Sequence, residues 1–376
     1  MKIAFAYESA YPWFNGGIEK RRYNILKVLA KQKGYELHMF TLYRPGMPGY
    51  EFEHEGVKYH CVGRAKEITS MYAGSRRAIS MSVKFSALLF LKMLKYHFDA
   101  VDTDAFPFLH IPLISVYSRL TGARCIVTWH EVWSKDFWKS YMPSGGAIGY
   151  AVERWVSRLA DFNIANSSTT KRLLERLFKV KPSDILVFPA AVDKSEIDEF
   201  LHTNAGKCKK SDKFVVVNRL VAHKRVELAI KSIAKVDAKL VVVGEGPELA
   251  KLKSLAASLG VSDRVVFKHG LSNNALYREL CTSKGLIMPS QREGLSLVTV
   301  EALALGIPVI IANTSVLPTE LKKLCLKAEE SKLPELLNSV LRNYPSYAKK
   351  YEAIRPKVIS QFSNDRAAAA YDKVLK

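Results

Sequence analysis

Two carboxylates eight residues apart, Glu293 and Glu301, flank a turn in the run Pro289-Ser290-Gln291-Arg292-Glu293-Gly294-Leu295-Ser296-Leu297-Val298-Thr299-Val300-Glu301. A carboxylate before a helix and another in its first turns can face one crevice beyond the strand ends, where open α/β sheets bind ligands. Between them the helix start offers unpaired N–H groups and a partial positive charge, which suits a diphosphate held over Gly294, Leu295 and Ser296. Upstream, Asn218-Arg219-Leu220-Val221-Ala222-His223-Lys224-Arg225 supplies two cations. The Arg219 guanidinium can grip two phosphate oxygens at once and the Lys224 ammonium adds a point charge, together offsetting charge on a departing diphosphate without Mg²⁺. Taken singly, each feature has a plainer reading: glutamates that cap and solvate a helix, and a basic turn that faces water.

Weaker signals lie elsewhere. Gly16-Gly17 opens a helix after the first strand, and a glycine pair lets backbone approach a ligand more closely than any side chain allows. His130, in Thr128-Trp129-His130-Glu131, ends a strand and so sits at a crevice rather than deep in a core, where its tunable charge is useful. Asn166 and Ser167 open a polar helix start on the same face. Gly244 and Glu245, in Val243-Gly244-Glu245-Gly246-Pro247, form a strand-end turn; with Pro247 next and no third glycine in register, it is a poor match to a dinucleotide fingerprint. Asp102-Thr103-Asp104 spells a D-x-D that can hold a metal, but its place at a first-domain strand end favours capping of the loop toward Pro107.

These residues need strand ends to carry them. Short apolar runs alternate with helical stretches, the signature of parallel α/β architecture. The strands expected are Lys2–Tyr7, Glu36–Leu42, Ala100–Asp102, Arg124–Thr128, Phe162–Ala165 and Ile185–Phe188 in a first half, then Phe214–Val217, Leu240–Val243, Val265–Phe267, Gly285–Met288 and Val309–Ile311 in a second. The near-continuous apolar runs of the second half suit strands covered on both faces. The domains expected are 1–193, a charged linker 194–212, a second domain 213–361 and a final helix 362–376, with Ser363 or Asn364 as its N-cap.

The passage from Glu293 to Glu301 closely resembles the Glu-x7-Glu signature of the retaining glycosyltransferases numbered family 4, and the resemblance runs over nearly the whole chain in order. Arg219 to Arg225 resembles that family's Arg-Leu-x-x-x-Lys-Gly passage, with Arg225 where Gly is usual. Ser296 also stands where Gly is common, the loop Asn313 to Glu320 lacks a usual Gly-Gly pair, and Ser363-Asn364 replaces an aromatic. The resemblance implies a GT-B fold: two Rossmann-like domains with a cleft between them and a C-terminal helix crossing back to the first. It implies transfer of a hexose-type sugar from a UDP- or GDP-sugar, with retention and no required metal or cofactor. It assigns Gly16, Gly17, Gly244 and Glu245 to the donor's diphosphate and nucleotide, Glu301 to the ribose, Glu293 to the sugar hydroxyls, and His130 to the sugar and acceptor side.

Composition bounds the remaining choices. At 376 residues, with 48% hydrophobic and 25% charged, the chain has the material for two globular domains. Its net charge of +21 divides evenly, +11 before residue 191 and +10 after, so there is no concentrated basic stripe of the kind that reads nucleic acid. Five scattered cysteines without a C-x-x-C pair argue against a disulfide framework and a zinc site. The first residues read as a buried strand, not a leader, and no apolar run is long enough to cross a bilayer; the expectation is a cytoplasmic protein. The segment Arg76 to Lys95 is basic and amphipathic, which makes an anionic membrane surface a candidate partner and a lipid-linked glycan a candidate acceptor. A catalytically silent nucleotide-sugar-binding protein would carry the same residues.

Overall fold

The alternation of apolar runs and helices resolves into two parallel sheets in a computed structural model that describes every residue except 66–71, 74, 75, 78, 190, 191 and 376. The chain divides into two units: Met1–Ala190 together with Asn364–Lys376, and Ala191–Ser363.

The first unit holds an eight-stranded sheet. In spatial order its strands are Ile185–Val187, Phe162–Ala165, Arg124–Trp129, Ala100–Asp104, Lys2–Ala6, Glu36–Tyr43, Val57–Arg64 and Glu51–His54. All neighbours are parallel except the last pair. Successive side chains of a strand point to opposite faces, and both faces here are apolar. Ile3 and Phe5 enter one cluster with Ile25, Leu26 and Tyr371, while Ala4 and Ala6 enter another with Phe40, Phe85 and Leu89. The final helix, Asn364–Leu375, inserts Ala367, Ala368, Tyr371 and Val374 into the first of these clusters. Asn364 supplies no cap, for its amide nitrogen and oxygen are both buried without a hydrogen-bond partner.

The second unit carries a six-stranded, wholly parallel sheet: Val265–Lys268, Lys239–Val243, Lys213–Val217, Gly285–Met288, Val309–Ala312 and Leu326–Ala328. Phe214 and Val216 pack on one face and Val215 on the other, which is why the strand reads as a continuous apolar run.

Three segments differ from expectation. The stretch 194–212 is not simply a linker, because Lys194–Thr203 is a helix. Asp193 caps it by accepting from the Ser195 and Glu196 N–H groups, and Ile197 and Phe200 bury in the second unit's core; its spaced apolar pair is hidden in a charged background. The antiparallel pair Glu51–His54 and Val57–Arg64 escapes a search for apolar runs because its outer strand alternates charged and apolar residues. Its turn, Glu55-Gly56, has positive φ at both positions (50° and 76°), which matches the preferred hairpin geometry. Leu326–Ala328 is too short to register by pattern.

Candidate active site

In the second unit, the ends of three strands bring together the turns that carry the expected residues. Asn218 N–H donates to Val243 O at 3.1 Å and Leu220 N–H to Glu245 O at 2.7 Å, so the turn Gly244–Gly246 lies against the Arg219 loop. The glycines are required there: with φ of 147° and 156°, a Cβ on Gly244 would fall 1.9 Å from Asn218 O and one on Gly246 2.4 Å from Leu220 O. Glu245 contributes only main chain to this contact, since its carboxylate is exposed and faces His269 at 2.9 Å. On the other side, Gln291 N–H donates to His223 O at 2.9 Å. That tie sets the Lys224 ammonium 2.8 Å from Glu293 Oε1, both side chains being about nine-tenths buried. Glu293 is fixed through its backbone as well, its N–H donating to Val316 O at 2.8 Å.

His223 shares this cluster with Arg219 and Lys224. Burial pushes its imidazole down first and the two cations push it further, to about 4. It is therefore neutral at neutral pH and adds no charge to the cationic pair. It stood in the motif with no role assigned, because only the folded loop shows it beside both cations.

Ser296 opens the helix Leu297–Ala304 with φ of 62°, and its hydroxyl turns to Thr299 Oγ1 at 2.8 Å instead of capping the backbone. The helix start thus has no side-chain cap from Ser296. Leu295 is buried in the core and pins the turn, with only its backbone available at the site; Gly294, which precedes it, is half-buried. Glu301 is buried and accepts from the Tyr277 hydroxyl at 3.3 Å. Burial and the Glu301 carboxylate raise the Tyr277 hydroxyl far above its ordinary range. Glu293 is thus fixed by Lys224 and Glu301 by Tyr277, a partner that no spacing in the sequence marks.

Arg225, which stands where Gly is usual, is half-buried. It adopts φ of 52° and donates to Glu330 at 2.6 Å and Thr314 at 3.3 Å. Both positions where glycine was expected, 225 and 296, are therefore left-handed in this chain with a side chain present.

In the first unit, Gly16 precedes the helix Gly17–Leu29 without a side-chain cap, and Gly17 is exposed at its first position. His130 lies at the end of strand Arg124–Trp129 with Nε2 2.6 Å from Asp104 Oδ1. Burial pushes its imidazole down, against the carboxylate, which pushes it up.

The D-x-D does not cap the loop toward Pro107. Residues two apart on a strand face the same way, and here both carboxylates take one guanidinium. Arg22 contacts Asp102 at 2.6 and 3.1 Å and Asp104 at 2.9 and 3.2 Å, all three residues being buried. Thr128 donates to Asp102 at 2.8 Å. Burial pushes Asp104 up, but Arg22 and His130 more than offset this and hold it at about 2, whereas burial leaves Asp102 raised. Asn166 donates to His130 O at 2.8 Å and so holds the histidine's backbone, while Ser167 is spent as the N-cap of helix Ser168–Leu173, accepting from Thr170 N–H at 3.1 Å. Arg22 was the residue missed; no motif links it to a D-x-D some 80 residues away.

Two Rossmann-like units of parallel strands, with cationic, carboxylate and glycine turns at strand ends, define the GT-B class. The profile described as Glycosyltransferase Family 4 matches residues 15–196 and that described as Glycosyl transferases group 1 matches residues 197–355; the chain belongs to the family 4 glycosyltransferases. It is 27% identical over 175 residues to N-acetyl-alpha-D-glucosaminyl L-malate synthase of Bacillus anthracis, a match covering 44% of this chain and 45% of that protein. The chain spans about half the length of the curated relatives it matches first. Among solved structures, sucrose-phosphate synthase from Thermosynechococcus elongatus superposes with a TM-score of 0.80 at 18% identity, covering 99% of this chain and 98% of that one. HepE of Anabaena in complex with UDP-glucose gives 0.75 at 14%, covering 100% and 99%. These structural likenesses establish the fold.

Proposed function

We propose that this protein transfers a hexose-type sugar from a nucleoside diphosphate sugar to a glycan or lipid-linked acceptor, with retention of anomeric configuration and no required metal. The observation that carries the reading is the buried Lys224–Glu293 pair at 2.8 Å beside Arg219 and His223. It supplies a fixed cation for a leaving diphosphate and a fixed carboxylate for sugar hydroxyls in one cluster, without reorganisation at the moment of reaction. The helix start at Ser296, which has no side-chain cap, adds N–H donors for phosphate oxygens, and Gly16 and Gly17 offer close backbone approach. Glu301 takes the ribose, and His130 the sugar and acceptor side. The test is a thermal-shift panel of UDP-, GDP- and ADP-sugars, followed by proton NMR of the product made from the stabilising donor; an inverted anomer overturns retention.

A surface of the first unit supports a membrane-bound acceptor. Helix Ile79–Met93 leaves Ile79, Val83 and Leu91 exposed, with Leu94 just past its end, and helix Ile111–Thr121 beside it leaves Val116 and Leu120 exposed. Lys84, Lys95 and Arg119 are exposed among them, and neither helix carries an acid. An exposed apolar face of this extent marks an interaction surface, and each basic residue near an anionic bilayer adds up to ~1 kcal/mol. Of the segment expected to do this, Ala78 and the side chains of Arg76 and Arg77 lie outside the described residues. Among the described residues no helix is long and apolar enough to cross a membrane. Sedimentation with liposomes is expected to rise with the anionic lipid fraction and to fall for Leu91→Glu/Leu120→Glu; equal binding to neutral vesicles contradicts this.

A further inference from the structure

The helices Lys135–Tyr141 and Gly146–Val156 enclose between them a groove of about 830 Å³ that takes no part in the site above. Lys135 and Lys139, one turn apart on the first helix, and Arg154 of the second converge on it, with Arg158 in the turn just beyond, where it donates to Phe178 O at 3.2 Å. Among the described residues, Asp136 is the one carboxylate on its lining. Tyr150 and Trp155 supply aromatic surface, with Lys135 Nζ 5.5 Å from the Tyr150 ring and Trp155 52% exposed.

The groove is built, and built onto the His130 loop. A Cβ on Gly146 would meet Trp138 O at 2.5 Å and one on Gly149 the Trp138 ring at 2.3 Å, so the two helices touch at glycine. Glu153, fully buried, accepts from Trp133 N–H at 2.9 Å and from the Trp138 indole at 2.5 Å. That carboxylate ties the groove's second helix to the segment that follows His130 by three residues.

We propose that this groove binds the phosphate of a lipid-phosphate acceptor, with Lys139 and Arg154 on the phosphate oxygens and Trp155 and Tyr150 against the adjoining apolar chain. Cations recognise the phosphate through charge-assisted hydrogen bonds. An exposed indole has reason to stand among them when the ligand is apolar at one end and wet at the other. The assignment to the acceptor rests on the glycosyl-transfer reading; the binding does not.

The full chain is titrated calorimetrically with octyl phosphate below its micelle concentration, beside inorganic phosphate and octyl glucoside. Octyl phosphate is expected to bind saturably, about tenfold more tightly than either comparison ligand, and the exposed double variant Lys139→Glu/Arg154→Glu to lose about tenfold in affinity. Equal affinity of parent and variant, of octyl glucoside, or of bare phosphate overturns the proposal. In turnover, the variant is expected to raise KM for a phosphorylated lipid acceptor about tenfold, with donor KM unchanged. Octyl phosphate binding without sugar transfer to any acceptor defeats the transferase reading and leaves the groove standing. Transfer to a lipid phosphate by a protein that does not bind octyl phosphate defeats the groove alone.

Discussion

Asp104 holds His130 Nε2 at 2.6 Å while the same carboxylate is gripped by the buried Arg22 guanidinium. Because Arg22 and His130 keep Asp104 ionised down to about 2, the proton between the pair sits on Nε2 of the neutral imidazole, leaving Nδ1 as an acceptor.

Asp104→Asn therefore removes both the charge that raises His130 and the certainty of its tautomer. If His130 in its neutral form serves the sugar and acceptor side, the expected result is a fall in kcat of about 100-fold, the lower end of what a positioned acid or base contributes, with the acid limb of the pH profile moved to lower pH. Breaking a buried ion pair also costs about 3–5 kcal/mol, to be measured by urea unfolding. The parent's share of that stability is present above the ordinary aspartate range and is lost only as pH falls through about 2. A variant with the parent's pH profile sinks the tautomer argument.

Lys224→Ala and Glu293→Ala separate catalysis from binding. On the proposed reading, losing the preorganised charge of Lys224 at the leaving diphosphate or of Glu293 at the sugar is expected to cost about 10²- to 10³-fold in kcat. Donor affinity, followed by thermal shift, is expected to weaken less. A parent protein that binds donor but turns over none, like its variants, is the silent binding protein instead.

Ser296 and Arg225 both occupy left-handed backbone, at φ of 62° and 52°. That conformation costs an L-residue about 1–2 kcal/mol, which glycine avoids. Ser296→Gly, which gives up only a hydroxyl contact to Thr299, is expected to raise stability by about 0.5–1 kcal/mol with donor binding retained. Arg225→Gly relieves the same strain but loses the Glu330 pair, so its gain in melting temperature is expected to be smaller. Equal gains from both substitutions contradict that account.

What the sequence discloses here divides along physical lines. Strands such as Phe214–Val217 are legible because they are buried on both faces, and the turn from Glu293 to Ser296 is legible because its residues stand in local order and resemble the family's signature. Arg22 with Asp102 and Asp104, or Tyr277 with Glu301, are not legible. Their partners meet only through tertiary packing, and a buried arginine on an otherwise ordinary helix has no periodicity of its own. The glycine departures at 225 and 296 were visible as substitutions, but their cost is a backbone angle, which only the fold supplies.

His223 offers a pH test. Its folded pKa, near 4, lies below the ordinary histidine value, so the unfolded chain binds more protons between about pH 6.5 and 4. Stability attributable to this group is complete above that window and falls as pH drops through it. His223→Gln is expected to flatten the pH dependence of the melting temperature in that interval relative to the parent. Unchanged slopes there exclude His223 as the group that titrates in that window.

The D-x-D leads us to expect resistance to chelators. For Asp102 and Asp104 to hold a divalent ion, the ion must displace a guanidinium that contacts both carboxylates at 2.6–3.2 Å in a fully buried setting. Their remaining oxygen contacts are taken by Thr128 and His130. On the proposed reading the cationic work at the diphosphate falls to Arg219 and Lys224, which no chelator removes. Turnover in excess EDTA is expected to match turnover in Mg²⁺ or Mn²⁺ within about twofold, well under the tenfold that 1.36 kcal/mol of barrier represents. Activity that vanishes in EDTA and returns with Mn²⁺ places a metal at the leaving diphosphate and removes the cationic pair from that role.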